Sequence, residues 1–245
     1  MSARLAAHGF TLAVLLAWAL AAQVLPAYEL PGPLPVAQSL WKLIAAPSGL
    51  RHVGASLFHV MGALALSFAG GVVLAVLPFY WPVFATMIDR RLTPFINAFP
   101  GIGWTMLAIL WLGLGLETIL FSVAVILLPF MVINLREGLL ALDAELLEMA
   151  RSFGRARPRI FALVILPQLY PFIFAAVRVS FGVSWKVTLT AELLGGNDGL
   201  GYLMNLARQE LDTELVFAII LLIVALVWAM NRLVFDPVQR RLQPA

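Results

Sequence analysis

"EMARSFGRARPRIFALVILP", Glu148 to Pro167, places four arginines within nine residues and then runs straight into apolar sequence. Set on a helix, Leu146, Ala150 and Phe153 share one stripe with Leu147 beside it. Glu148, Arg151 and Arg155 fall on the opposite side, at spacings of three and four. Glu148 is placed to pair with Arg151. Gly154 lets another backbone come close. Pro158 limits the helix, because a residue preceding proline is driven out of helical geometry. The segment therefore reads as a short amphipathic helix at about 145–158, lying across the apolar stretches on either side of it.

Those stretches set the fold class. The chain of 245 residues is 62% hydrophobic and only 12% charged, with a mean hydropathy of +0.96; a soluble domain carries about 25% charged residues. Six apolar runs approach the roughly 20 residues that cross a bilayer: 9–27, 55–79, 92–114, 118–135, 166–190 and 213–235. An outer-membrane barrel would show short alternating segments instead. The expectation is an all-α integral membrane protein. Residues 1–54 would hold the first span, an outside loop and a surface helix near Val36–Ile44 with Trp41 at headgroup level. Residues 55–245 would form the core. Arg4 before the apolar run Phe10–Ala22 has the look of a signal peptide, but no small-x-small site precedes a polar segment, so an uncleaved first span is expected.

The absence of cysteine excludes disulfides, thiolate zinc sites and iron–sulfur clusters. A net charge of +3, carried by 14 arginines and 2 lysines, is orientation chemistry and not a nucleic-acid footprint. With the N-terminus inside, eleven basic residues, among them Arg90, Arg91, Arg136 and the four of 151–159, fall on the cytoplasmic side. Lys42, Arg51 and Arg208 fall outside, and Arg178 and Lys186 lie within span five. Both termini are thus expected in the cytoplasm. The outside loops are acidic, which either reflects tolerance of acids on both sides or marks a docking face.

Glu148, Ala150, Gly154 and the closing Val164, Leu166 and Pro167 hold the register of the EAA motif of ABC-transporter permeases. Met149 and Val164 depart from it and stay apolar. "NAFPGIGWTMLAILWLGLGLE" (Asn97–Glu117), "FGVSWKVTLTAELLGGNDGLGYLMNLA" (Phe181–Ala207) and the tail "VFDPVQRRLQPA" resemble the nitrate, sulfonate, taurine and thiamine-precursor branch of that family, so the resemblance covers about Ser56 to the C-terminus. Asn231 departs from it, where that branch often has Gly-Asp-like residues.

The resemblance implies a type I importer-like permease of the bacterial inner membrane. Glu148, Met149, Ala150, Arg151, Gly154, Val164, Leu166 and Pro167 would couple it to a cytoplasmic ABC ATPase dimer. It also implies a second permease copy, as a homodimer in membrane lipid, and a periplasmic or lipid-anchored solute-binding protein. ATP and Mg would reside on the ATPase and no cofactor on this chain. A P-loop needs Gly-Lys followed by Ser or Thr, and both lysines here, Lys42 and Lys186, follow tryptophan.

Ionisable residues within spans are candidates for function. Arg178 and Lys186 lie about two turns apart in span five, with Trp185 adjacent, and either line a path for an anion or satisfy carbonyls and snorkel. Glu192 opens the following outside loop, to pair with Lys186 or to meet a partner. "GGNDGLG" (Gly195–Gly201) reads as a turn before a short helix at 202–210, with Gly199, Leu200 and Gly201 as gate or docking residues. His52 and His59, seven apart, share a face of span two without further ligands nearby for a metal. The rival reading is an ion-gradient-driven secondary transporter. It would bury carboxylates in its spans, and none is expected in these.

Overall fold

The computed structural model describes residues 2–152 and 157–242, with side chains over 9–152 and 158–240; every regular element among them is helical. Helix α1 (Ser2–Val24) leads to α2 (Pro33–Ala45) and the long α3 (Pro47–Tyr80). A run of short helical turns, α4 (Pro82–Ala98), is followed by α5 (Gly101–Leu112) and α6 (Leu116–Leu140). The short α7 (Ala144–Ser152) precedes α8 (Pro158–Gly195), α9 (Leu200–Gln209) and α10 (Thr213–Arg240).

The bundle is built on α6, which packs along α3 on one side and α8 on the other. The α3 face against it is a stripe of small or polar residues: Ser56, His59, Ala63, Ser67, Gly71 and Ala75 are all buried. Small residues let helix backbones approach where lipid supplies no hydrophobic drive between helices. Gly71 shows how close the approach is, since a Cβ there would lie 2.5 Å from the Cβ of Met131. Val60, Ile119, Val123, Leu127, Phe181 and Ile219 fill the space between α3, α6, α8 and α10. Large apolar side chains such as Leu110, Val224 and Trp228 point outward, as a lipid-facing surface requires.

Among the described residues, α3, α6, α8 and α10 are long and apolar enough to cross a membrane, and the pair α4–α5 makes five if counted as one bent span. The span expected at 92–114, with Pro94 and Pro100 as bending points, is broken in two. The chain turns by 86° between α4 and α5, because Pro100 forces Phe99 into an extended conformation (φ −75°, ψ 131°). The corner is braced by the Phe99 and Trp104 rings, 5.0 Å apart, and by Trp104 Nε1 donating to the Ile96 carbonyl at 3.4 Å. An Asp89–Arg136 pair, 2.7 Å at its shorter contact, ties α4 to α6. The helix that holds the first expected span, α1, runs Ser2–Val24 and ends three residues before the expected limit. Trp18 Nε1 holds it through the Pro31 carbonyl at 3.0 Å.

The other spans run longer than expected. α8 continues to Gly195 and α10 to Arg240 without a break, so Glu192 lies inside a helix and not in a loop. The proline at 167 is accommodated by a π-helical stretch, Phe161–Ile165, just before it. Proline cannot donate to the preceding turn, and a widened turn relieves the clash.

Candidate functional site

α7 is begun by Asp143, whose Oδ1 accepts from the amides of Glu145 at 2.9 Å and Leu146 at 3.3 Å, satisfying orphan donors of the first turn. Ala150 is buried against Leu135, Leu139, Ile160, Ile165 and Leu169, with Leu147 and Val164 packed beside it. Of the expected stripe, Ala150 and the adjacent Leu147 are covered, Leu146 is not, and Phe153 lies outside the described residues. Leu147 and Ala150 face the bundle, whereas Leu146 is 41% and Met149 53% exposed. Glu148 and Arg151 are exposed too, and Glu148 makes no ion pair among the described residues. Leu166 and Pro167 lie exposed at the start of the long helix. Gly154 lies outside the described residues. α7 thus presents an apolar pair flanked by charges, Glu145, Glu148 and Arg151, on a helix anchored from behind.

At the opposite end of α8 the structure assembles a buried polar node. Glu192 is fully buried. Its Oε1 accepts from Ser56 Oγ at 2.8 Å and from His59 Nδ1 at 2.8 Å. Its Oε2 lies 2.9 Å from the same Ser56 Oγ and accepts from the Gly201 amide at 2.7 Å. Ser56 Oγ in turn accepts from the Leu200 amide at 2.7 Å. Leu200 and Gly201 are the first two residues of α9, whose amides have no partner within their own helix. Residues from α3 and α8 cap it, and the carboxylate meets the positive end of its dipole. Asp198 Oδ1 lies 3.6 Å from His59 Nε2 and is half exposed, linking the node to the surface.

Gly199 makes this possible. Its φ of +97° belongs to the region that favours glycine, and a Cβ there would collide with the Glu192 carboxylate. A side chain at Gly201 would strike the Leu189 carbonyl. The Gly115 amide donates to the Gly195 carbonyl at 2.7 Å, locking the α5–α6 turn onto the same end.

The expected membrane-facing candidates separate. Arg178 donates to Asp236 of α10 at 3.1 Å, and Arg232 approaches the other carboxylate oxygen at 3.8 Å. Trp185 is buried between Phe181 and its neighbours, and its indole N–H has no hydrogen-bond partner among the described residues. Lys186 is exposed and forms no ion pair among the described residues. Glu192 pairs with His59 and not with Lys186. The partners that sequence reading missed are Ser56 for Glu192 and Asp236 for Arg178. Ser56 stands between His52 and His59 at spacings of four and three, so the shared face was visible, but its carboxylate lies 136 positions away.

The Arg178–Asp236 pair is about one third exposed on each side, so its worth is small, at most about 1 kcal/mol. Arg178→Ala is expected to leave uptake within about twofold of the parent while a double-mutant cycle with Asp236→Ala returns a coupling of that size. A loss of uptake specific to anionic solutes would assign Arg178 to the path instead.

Residues 67–245 match the family described as binding-protein-dependent transport system inner membrane component. The chain is 28% identical to the taurine transport system permease protein TauC of Escherichia coli (strain K12), over 96% of this chain and 87% of TauC. It is 31% identical to the putative aliphatic sulfonates transport permease protein SsuC of the same organism, over 84% of this chain and 78% of SsuC. Its fold resembles a chain of the MetNI methionine ABC transporter in an inward-facing conformation, with a TM-score of 0.62 at 18% identity, over 85% of this chain and 96% of that one.

Proposed function

The chain belongs to the family of binding-protein-dependent transport system inner membrane components, and from that premise we propose that it is the permease subunit of an ATP-driven importer of small sulfonates such as taurine. It forms the solute path and performs no chemistry itself. A separate cytoplasmic ATPase dimer binds ATP and Mg and seats α7; a second copy of the chain completes the path. A solute-binding protein, periplasmic or lipid-anchored, delivers solute at the α9 end. Both termini and α7 lie in the cytoplasm of a bacterial cell, consistent with the eleven basic residues expected on that side. Nitrate and thiamine-precursor pyrimidines are the other solutes that the resemblance implies.

The observation that carries the reading is α7: a capped helix, fixed to the bundle through Leu147 and Ala150, offering Leu146 and Met149 to a partner. A helix held this way passes ATPase closure to α6 and α8, which bound the same core, and so biases a two-state bundle. The sulfonate class rests on the likeness to TauC and SsuC.

One observation favours the rival, ion-gradient reading: Glu192 and His59 form a buried titratable pair within spans, against the expectation that no carboxylate would be buried there. Gentle extraction of a C-terminally tagged chain from its native membranes separates the two. The importer reading expects a stoichiometric ATPase to copurify. A lone chain across several detergents that moves solute on an ion gradient alone overturns it.

A further inference from the structure

Lys186 lies nine residues before the end of α8 at Gly195, about 14 Å along the axis at 1.5 Å per residue. An ammonium at such depth is costly against lipid, and cations inside spans face protein partners or water-filled paths. Arg178 satisfies that rule through Asp236. Lys186 has no acid among the described residues to answer it.

It borders two pockets: one of about 380 Å³ walled by apolar side chains of α8 and α10, and one of about 190 Å³ at the bend between α4 and α5, which alone adds hydroxyls and is lined with Gly101, Ile102, Thr105, Ile126, Val187 and Thr190. None of the described residues lining it is acidic. Thr190 Oγ1 donates to the Lys186 carbonyl at 3.0 Å and Thr105 Oγ1 to the Gly101 carbonyl at 3.4 Å. A hydroxyl rotates freely, so each can turn its proton to an incoming oxyanion for the loss of one bond to its own helix. One fixed positive charge, two hydroxyls and apolar walls suit a small group with a tetrahedral anionic head and a short apolar tail.

We propose that this pocket is an anion subsite on the solute path, with Lys186 binding the head group of an alkanesulfonate and Thr105 and Thr190 completing its contacts. The sulfonate assignment rests on the function proposed above; the anion subsite stands on the pocket and on a lysine with no acid to pair with among the described residues.

The chain has no cysteine, so a single introduced thiol is a clean reporter. Thr190→Cys is made in the full chain, with Lys186 kept or replaced as Lys186→Gln, and labelled in native membranes with anionic sulfonatoethyl and cationic trimethylammonioethyl methanethiosulfonates. With Lys186 present the anionic reagent should react faster. The anionic-to-cationic rate ratio should fall about tenfold or more in Lys186→Gln, the effect of removing one nearby charge in a partly screened site. Ethanesulfonate should slow labelling only while Lys186 is present.

A ratio unmoved by Lys186→Gln overturns the subsite. So does an introduced thiol that neither soluble reagent reaches but lipid-permeant N-ethylmaleimide does, since the pocket then faces lipid. Charge selectivity with protection by nitrate and not by ethanesulfonate upholds the anion subsite and sinks the sulfonate assignment. Failure of the ATPase to copurify, with the labelling pattern intact, counts against the importer reading alone.

Discussion

Replacing Glu192 by alanine is expected to destabilise the chain by about 3–5 kcal/mol, the usual cost of removing one partner from a buried charged network. His59 Nδ1, Ser56 Oγ and the Gly201 amide would each lose an acceptor in a site without water access, and the cap of α9 would go with them. Thermal unfolding of the detergent-purified chain should show a fall of roughly 10 °C. Glu192→Gln keeps the shape and one acceptor oxygen, so its cost should be about 1–3 kcal/mol. Combining it with His59→Gln should cost less than the sum of the two, because they break the same contact. An unchanged melting temperature for Glu192→Ala would mean that the node does not hold α9.

Leu146→Asp combined with Met149→Asp is expected to leave the chain inserted and thermally unchanged while abolishing recovery of the ATPase proposed to seat on α7. Both side chains are exposed and neither joins the buried cluster beneath α7. Apolar anchors at the centre of an interface typically cost about 2 kcal/mol or more each when lost, so the pair should weaken association by at least about a hundredfold. Ala150→Asp is the contrasting variant: it sets a charge into the cluster with Leu135, Leu139 and Leu169 and should impair folding itself. Recovery of ATPase at parental yield with the double variant would place the docking surface elsewhere.

The two ends of α8 differ in how far local sequence describes them. The α7 segment announces itself through spacing, its three-and-four periodicity. Of its apolar stripe, Ala150 and the adjacent Leu147 are covered and Leu146 is not. Leu146 and Leu147 are equally apolar, and only the position of Leu135, Leu139 and Leu169 decides which of them is covered. Span lengths were blurred for a related reason. Charged or polar residues such as Glu192 look like span ends when counted singly, whereas a helix continues through them if another element supplies partners.

Composition and periodicity by themselves determined that the chain is helical, that it belongs in a membrane, and that a short amphipathic helix interrupts the spans. Those properties follow from residue type and near-neighbour spacing, which act through local geometry and transfer from water. The right-angled bend at Phe99–Pro100 was half visible, since the proline marks a bend but not its size. What only the tertiary structure decided is which charges are answered. Glu192 meets Ser56 and His59 more than 130 positions away, Arg178 meets Asp236, and Lys186 meets no acid among the described residues. Pairings at that separation depend on how α3, α8, α9 and α10 pack. Packing is set by the shape of whole helix faces, such as the small-residue stripe of α3, and not by any window of sequence around the charges themselves.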